Sequence, residues 1–260
     1  MFPLLLIPLL VAVDLSNTGE PIRVPFACIE EDLQAVGMAC TETSPCPVYL
    51  ELNAAAANGT KLVVAGDFHS TNATIQSVLL VSPDSGATWK EPVQRIRGAA
   101  LDLAQFADGD HAFAAGETQY PLPRDPFFLI STDGGQFWRN RPVGEEDSPG
   151  SVVSFSFDTP THGDLVIDAG TTAEGGRYLG YETRTGGDTW MARSRVREQP
   201  RIRPRIENTR VQESKDGRSW VIERRSGDTW LPIASFLVDA ATCTGPSEPA
   251  DDHNAGGDKK

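Results

Sequence analysis

The sequence predicts an all-β protein assembled from repeated units, and three observations lead to this prediction. Glycine and proline account for 24 and 19 of the 260 residues, which favours many short strands and turns over long helices. Apolar and polar residues alternate in short segments such as 153–157, as in strands with one buried face. A tryptophan-containing pattern also recurs along the chain, and such recurrence is typical of architectures that repeat one supersecondary unit.

The N-terminal segment has the features of an export signal. Met1 to Val13 carries no charge and contains the apolar run Leu4 to Val11. This run has the length of a signal-peptide core and is shorter than the roughly 20 apolar residues that span a bilayer. We therefore predict that residues 1–27 form an export signal, or a retained anchor, followed by a linker. The mature protein is expected to be periplasmic or extracellular.

Four cysteines, an even number, suit an oxidising compartment. Cys28, Cys40 and Cys46 precede the first repeat, and Cys243 ends the last apolar strand. Neither a Cys-x-x-Cys spacing nor a nearby histidine makes them a zinc site, so no metal is predicted. We expect disulfide bonds that clasp the two ends of the fold together, while the pairing stays open.

The repeated pattern is an octapeptide that ends in tryptophan. Ser82–Trp89 recurs as Ser131–Trp138, and more loosely as Thr183–Trp190 and Arg225–Trp230, with the tryptophans 49, 52 and 40 residues apart. The glycine supplies the positive φ of a tight hairpin, and the serine and aspartate hydrogen-bond the turn backbone. The tryptophan begins the next strand and can pack between neighbouring sheets. We predict a structural role for the residues of this pattern: Ser82, Asp84, Gly86, Trp89, Ser131, Asp133, Gly135, Trp138, Gly187, Trp190, Gly227 and Trp230.

This pattern resembles the Asp-box, S-x-D-x-G-x-[TS]-W, of the BNR repeats in sialidase-like β-propellers, and the resemblance spans about residues 47–240. It implies four-stranded blades, each closed by an Asp-box hairpin that lies away from the ligand-binding face. The chain length from Cys28 to Cys243 suits about four to five blades. We predict a small β-propeller over residues 28–243, with closed and incompletely closed rings as alternatives, and a disordered tail over residues 244–260.

The strands predicted from alternation and turns follow this repeat in order. The last unit is the least regular, and its segment Ser214–Trp220 is predicted to be a hairpin within the blade. The predicted strands are 48–52, 61–66, 77–82 and 88–90; 100–106, 111–115, 127–131 and 137–140; 153–157, 164–168, 177–182 and 190–193; and 209–213, 219–224 and 230–238.

Charge restricts the class of partner. With 23 basic and 36 acidic residues the formal net charge is −13, which repels phosphate backbones and argues against nucleic acid. One segment, 193–210, is nevertheless rich in arginine. It is either a solvated connection between blades or a docking strip for an acidic partner or lipid headgroups. Its arginines are Arg193, Arg195, Arg197, Arg201, Arg203, Arg205 and Arg210.

The resemblance to sialidases implies an arginine triad, a tyrosine nucleophile paired with a glutamate, and an aspartate acid/base. The candidates are Arg23 in an Arg-Val-Pro sequence, Arg124, Arg177, and Tyr178 or Tyr181 beside Glu182. The chain is short for a six-bladed sialidase. Asp67 and His69 are at the end of a predicted strand, and the residues there form either a loop on the ligand-binding face or an ordinary polar turn. The four histidines lie in different units or in the tail, so no metal or cofactor is predicted.

The repeats also resemble the photosystem II stability/assembly factor-like propellers, which are exported, non-enzymatic proteins that bind membrane-protein partners. The short repeats, loose Asp-boxes, arginine-rich segment and export segment favour this group. Our hypothesis is an exported protein-binding or assembly module without catalytic residues, whose partner is a protein of the membrane or envelope. The alternative is a sialidase-like glycoside hydrolase or a carbohydrate-binding propeller.

Overall fold

The computed structural model describes residues 14–171, 175–202, 208–237 and 241–244. These residues contain eighteen strands and one short helix. In chain order they are β1 (Leu15–Ser16), β2 (Ile22–Arg23), α1 (Glu30–Ala35), β3 (Cys46–Asn58), β4 (Lys61–His69), β5 (Thr74–Ser82), β6 (Thr88–Trp89), β7 (Ala99–Phe106), β8 (Ala112–Thr118), β9 (Arg124–Ser131), β10 (Arg139–Pro142), β11 (Ser151–Phe157), β12 (Gly163–Asp168), β13 (Tyr178–Thr183), β14 (Met191–Val196), β15 (Thr209–Glu213), β16 (Ser219–Ser226), β17 (Thr229–Leu237) and β18 (Ala241–Cys243).

The strands form four four-stranded sheets, which are the blades of a small β-propeller. The first sheet has the order β18-β3-β4-β5, the second β7-β8-β9-β10, the third β11-β12-β13-β14 and the fourth β15-β16-β17-β2. All neighbours are antiparallel except β17 and β2, and β6 pairs with β1 in a separate two-stranded ladder. The predicted all-β propeller of about four to five blades is confirmed.

Neighbouring sheets pack through apolar side chains that alternate along each strand. On β4, Leu62 and Val64 face a cluster shared with the fourth sheet, whereas Val63 and Ala65 face a cluster shared with the second sheet. Successive side chains of a strand point to opposite faces, so one strand contributes to two interfaces. A third cluster, which includes Phe157, joins the second and third sheets.

The hairpins of the repeated tryptophan pattern are called Asp-box hairpins here after the sequence resemblance, and the first two are held by local hydrogen bonds. Ser82 Oγ donates to Asp84 Oδ1 at 2.8 Å and accepts from the N–H of Gly86 at 2.8 Å. The indole N–H of Trp89 donates to the carbonyl of Gly86 at 3.0 Å. The second hairpin repeats these bonds with its own serine, aspartate and tryptophan.

The looser third hairpin keeps the same turn with different chemistry. Thr183 Oγ1 accepts from the N–H of Gly187 at 3.0 Å, and Thr185 Oγ1 accepts from the N–H of Thr189 at 2.9 Å. A threonine hydroxyl therefore takes the position that the aspartate carboxylate has in the first two hairpins. This explains how the turn forms although Thr185 replaces the aspartate.

The ring of sheets is open between the third and fourth. Trp89 packs against Phe236 of the fourth sheet at 5.1 Å between ring centroids, and Trp190 packs against Phe128 of the second sheet at 4.9 Å. Trp230 instead lies beneath the guanidinium of Arg210, at 4.4 Å. Among the described residues no apolar cluster joins the third and fourth sheets.

The Asp-box glycines show the same asymmetry. A Cβ on Gly86 would lie 2.3 Å from Ile233 Cγ2 of the fourth sheet, and one on Gly187 would lie 3.0 Å from Ile130 Cδ1 of the second sheet. A Cβ on Gly227 would meet nothing within 4 Å. The first and third hairpins thus press on the preceding sheet, while the fourth hairpin has open space there.

The two ends of the fold meet between the fourth and first sheets. A disulfide joins Cys28 to Cys243, and a second joins Cys40 to Cys46. The predicted clasp between the chain ends is therefore confirmed, and its pairing is now defined.

The predicted domain limits fall partly outside the described residues. β1 and β2 lie within the segment predicted to be a linker. Most of the predicted export segment, residues 1–13, and nearly all of the predicted tail, residues 245–260, lie outside the described part of the chain. In the described ranges no helix is long and apolar enough to cross a membrane.

Trp89→Ala is expected to lower the free energy of unfolding by about 3–5 kcal/mol, because it empties a fully buried site between two sheets. Trp230→Ala should cost about 1 kcal/mol or less, since there it removes only a partly exposed cation–π contact. Urea denaturation followed by circular dichroism measures both. Equal costs for the two variants would contradict an open junction between the third and fourth sheets.

The two disulfides are expected to differ in their stabilisation. Replacing Cys28 and Cys243 by serine should lower the free energy of unfolding by about 4–5 kcal/mol. The two cysteines are separated by 215 positions in the sequence, so their bond closes a long loop in the unfolded chain. The matched replacement of Cys40 and Cys46, whose separation is 6, should cost about 2 kcal/mol. Chemical denaturation of the two double variants measures both changes. A larger loss of stability in the Cys40, Cys46 variant would contradict the role of the Cys28–Cys243 bond as a clasp between the chain ends.

Candidate functional site

An acidic pocket of about 470 Å³ lies at the end of the sheets opposite the Asp-box hairpins. The chain reverses at every hairpin, so the β4–β5 loop and the Asp-box hairpin that follows β5 lie at opposite ends of the first sheet. The pocket is bounded by residues 69–74 of that loop region and by the inner strands of the first and second sheets. Its ionisable side chains are Glu51, Asp67, His69 and Asp102.

Two β-bulges direct side chains into the acidic pocket. The ladder of β3 shifts register between Leu52 and Ala54, and that of β7 shifts between Leu101 and Leu103. The extra residues are Asn53 and Asp102, and a bulge of this kind re-aims a side chain out of the regular alternation.

One amide connects the carboxyl groups of the two sheets. Asn53 Nδ2 donates to Asp67 Oδ2 at 3.2 Å, to Asp102 Oδ1 at 3.2 Å and to the carbonyl of Leu101 at 3.3 Å. Glu51 lies directly opposite Asp67 in the ladder, and its Oε2 is 3.6 Å from His69 Nε2. Two acidic residues therefore face each other across neighbouring strands, an arrangement that is unfavourable when both are ionised.

Burial and mutual repulsion raise the pKa values of these groups. Burial, followed by the charge of Glu51, raises the pKa of Asp67 to about 7, although the bond from Asn53 opposes the rise. The same two causes raise the pKa of Asp102 to about 6. Burial and the charge of Asp102 raise the pKa of Glu117, on the neighbouring strand β8, to about 7. The acidic pocket can therefore hold and exchange protons near neutral pH.

Glu117 also links the second and third sheets. Its Oε2 accepts from the backbone N–H of Val152 at 3.1 Å, and its Oε1 accepts from Gln119 Nε2 at 2.9 Å. Sequence reasoning singled out Asp67 and His69 but missed Glu51, Asp102 and Glu117. These residues could have been found in the sequence as single acidic residues inside otherwise apolar strands, as in Leu50-Glu-Leu52.

The arginines of segment 193–210 separate into two groups. Arg193 forms an ion pair with Glu182, and Arg210 pairs with Glu223 at 2.6 Å. The second group consists of exposed arginines that form no ion pair with any carboxylate of the described residues: Arg195, Arg197 and Arg201. Two further candidates, Arg203 and Arg205, lie outside the described residues.

The candidate sialidase arginines belong to three different sheets. Arg23 is on β2 of the fourth sheet, and Arg124 begins β9 of the second sheet, where it pairs with Asp147 at 3.0 Å. Arg177 precedes β13 of the third sheet and donates to Asp168 at 2.8 Å. Arg124 and Arg177 are therefore each already paired with a carboxylate of this chain.

The candidate nucleophile pair is also separated. Tyr181 and Glu182 are consecutive residues of β13, so their side chains point to opposite faces of the third sheet. Tyr181 packs with the apolar cluster shared with the second sheet, whereas Glu182 is paired with Arg184 and Arg193. Tyr178 lies three residues earlier, at the start of the same strand.

The described histidines have acidic neighbours in three separate places. His111 Nδ1 is 2.9 Å from Asp108 Oδ1, and His162 Nε2 is 3.5 Å from Glu182 Oε1. His69 is in the acidic pocket, and His253 lies outside the described residues. Within the described ranges, no group of three or more histidine, cysteine, aspartate or glutamate side chains could hold a metal ion.

Comparisons with known proteins place the chain in no family, because no family model and no curated protein matches it. Among solved structures it is similar to a chain in the structure titled "YCF48 bound to D1 peptide", with a TM-score of 0.42 and 18% sequence identity. The match covers 75% of this chain and 56% of that chain, so this chain spans little more than half the length of that protein.

The acidic pocket is expected to make the protein less stable as pH rises from about 5 to about 8. A carboxyl group whose pKa is raised in the folded state binds its proton more tightly there than in the unfolded chain. Its favourable contribution to the free energy of unfolding is therefore complete below about pH 4, and it is lost as the pH rises past about 7. Asp67→Asn removes one such group and should raise the melting temperature at pH 8 by at least about 2 °C, with little change at pH 5.

The control for this measurement is Asp84→Asn in the first Asp-box. Although burial acts in the opposite direction, hydrogen bonds from Thr88 and Ser82 lower the pKa of Asp84, so this variant should be destabilised at pH 8. A wild-type melting temperature that does not fall between pH 5 and pH 8 would contradict protonation of the acidic pocket.

Proposed function

We propose that this protein is an exported, non-enzymatic binding module whose partner is a protein of the membrane or envelope. Its docking strip is the group of arginines on and after β14 that form no ion pair within the described part of the chain, namely Arg195, Arg197 and Arg201. Arg203 and Arg205 extend the strip in sequence.

The observation that carries this proposal is the unequal pairing of arginines. Most other described arginines lie against carboxylates, as Arg95 does with Glu91 at 2.6 Å, and as Arg139 and Arg141 both do with Asp188, whereas Arg218 and Arg224 stand as isolated exceptions. The docking strip has no such partners among the described residues, although the chain carries an excess of acidic groups. Exposed guanidinium groups without partners keep their bidentate donors available for carboxylates of another molecule.

The position of the docking strip supports the same function. β14 is the outermost strand of the third sheet, and every residue from Met191 to Arg195 is exposed. The strip continues into the segment that connects the third and fourth sheets, where the ring is open. Exposed segments carried on a rigid sheet are suited to binding, because the scaffold fixes their position without covering them.

Two further observations support export and the class of repeat. Both disulfides need an oxidising compartment to form and persist, which favours the periplasm or the cell exterior over the cytoplasm. The serine, aspartate and indole hydrogen bonds of the first two hairpins support membership of the Asp-box repeat propellers. The pairing of Arg124 with Asp147 and of Arg177 with Asp168 supports binding over glycoside hydrolysis, because a clamp for a ligand carboxylate needs guanidinium groups that are free to receive it.

Affinity capture from native envelope extract tests the proposal, with partners identified by mass spectrometry. The tagged mature protein is compared with the double variant Arg197→Glu, Arg201→Glu. The matched control is Lys215→Glu, Arg218→Glu, which changes the net charge equally on the exposed hairpin between β15 and β16 of the fourth sheet.

We expect a near-stoichiometric protein partner with the wild type and with the control, and its loss with the docking-strip variant. Recovery should also weaken as salt is increased, because exposed charge pairs are screened. Equal recovery with all three proteins, or no specific partner with any of them, would refute the docking strip.

A further inference from the structure

A cleft of about 480 Å³ lies between the second and third sheets, beside β14. Its walls combine polar and apolar surface in similar amounts, and the apolar part comes from Pro126 and Pro149 on the second-sheet side and from Ile167 and Leu179 of the third sheet. This volume falls within the range of pockets that hold a small ligand or a few side chains, and such pockets are typically apolar with few polar groups.

Among the described residues, Arg195 is the only one with a charged side chain that lines this cleft. Its Nη1 donates to the carbonyl of Gly176 at 3.2 Å, and it pairs with no carboxylate of the described residues. Leu179 is its direct neighbour across the ladder between β13 and β14. A guanidinium therefore lies next to an apolar wall and retains unused donors.

Tyr181 adds a second polar group to the cleft. Its ring packs with the cluster between the two sheets, and its hydroxyl makes no hydrogen bond within the described part of the chain. The hydroxyl can donate to an oxygen of a ligand or accept from a ligand N–H.

Acidic residues lie at the other end of the cleft. Glu145 and Glu146 line a smaller adjoining cavity of about 300 Å³, which shares Pro126 and Gly144 with the cleft. These carboxylates repel negative charge, so a ligand with one carboxylate is favoured to place it towards Arg195 and its apolar part against Ile167 and Leu179.

From this arrangement we infer that the cleft binds a peptide segment of the protein partner, in which an apolar side chain enters the cleft and a neighbouring carboxylate pairs with Arg195. The inference rests on the proposed function for the protein nature of the partner. In an extended peptide, residues two apart point to the same side, so the apolar and acidic residues are expected at that spacing.

Isothermal titration with two capped peptides tests the inference without the natural partner. The first is acetyl-Phe-Gly-Glu-Gly-amide, and the second replaces its glutamate with glutamine. We expect the glutamate peptide to bind about tenfold more tightly, because a charge-assisted bond to the guanidinium is available only to a carboxylate. Equal affinity for the two peptides, or binding of neither, would overturn the inference.

Variants locate the binding. Arg195→Gln is expected to abolish the preference for the glutamate peptide, and Tyr181→Phe is expected to weaken binding while keeping the preference. Arg218→Gln, on the exposed hairpin of the fourth sheet, should leave both affinities unchanged. Unchanged melting temperatures check that the variants fold. A preference that survives Arg195→Gln would place the peptide elsewhere and refute the assignment.

The two proposals can fail independently. Capture of the partner is tested at Arg197 and Arg201, whereas peptide binding is tested at Arg195 and Tyr181. If the partner is lost with the Arg197→Glu, Arg201→Glu variant but neither peptide binds, only the cleft proposal is rejected. If the glutamate peptide binds more tightly but capture of the partner is the same with that variant, only the docking strip is rejected.

Discussion

The packing of each sheet against the one before it is the interaction on which the rest of this structure depends. A single four-stranded sheet leaves apolar faces in water, and the propeller buries them by placing residues such as Val63 and Val64 in two different interfaces. The Asp-box supports this packing, because its hydrogen bonds fix a turn from which the tryptophan reaches the preceding sheet. Where that contact is missing, at Trp230, the ring is open.

Because the ring is open, the disulfide between Cys28 and Cys243 has a larger structural role than it would have in a closed ring. In a ring closed on all sides, the junction between the first and last blades is held by packing against both neighbours. Here the described residues of the fourth sheet pack against the first sheet alone, so its attachment depends on that single interface, on β2 and on the disulfide. The described residues that follow β14, 197–202, are mostly exposed, and the proposed docking strip includes two of them, Arg197 and Arg201.

Charge is divided among separate regions of the molecule. The acidic pocket gathers carboxyl groups that carry raised pKa values, because they are buried close to one another. The proposed docking strip carries guanidinium groups that have no ion-pair partner among the described residues, and the cleft beside it combines one of them, Arg195, with apolar side chains. A chain of net charge −13 exerts little long-range attraction on an acidic partner, so the proposed recognition by the strip would depend on short-range pairing.

The sequence by itself determined the strands and the Asp-box turns, because the interactions that specify them lie within a few residues. Ser82, Asp84 and Trp89 bond their own hairpin, and alternation marks each strand. Only the tertiary structure decided the pairing of Cys28 with Cys243, the meeting of Asp67 with Asp102 from another sheet, and the opening between the third and fourth sheets. These features join residues that are far apart in the chain, and sheet packing and bulges, which no local pattern encodes, bring such residues together.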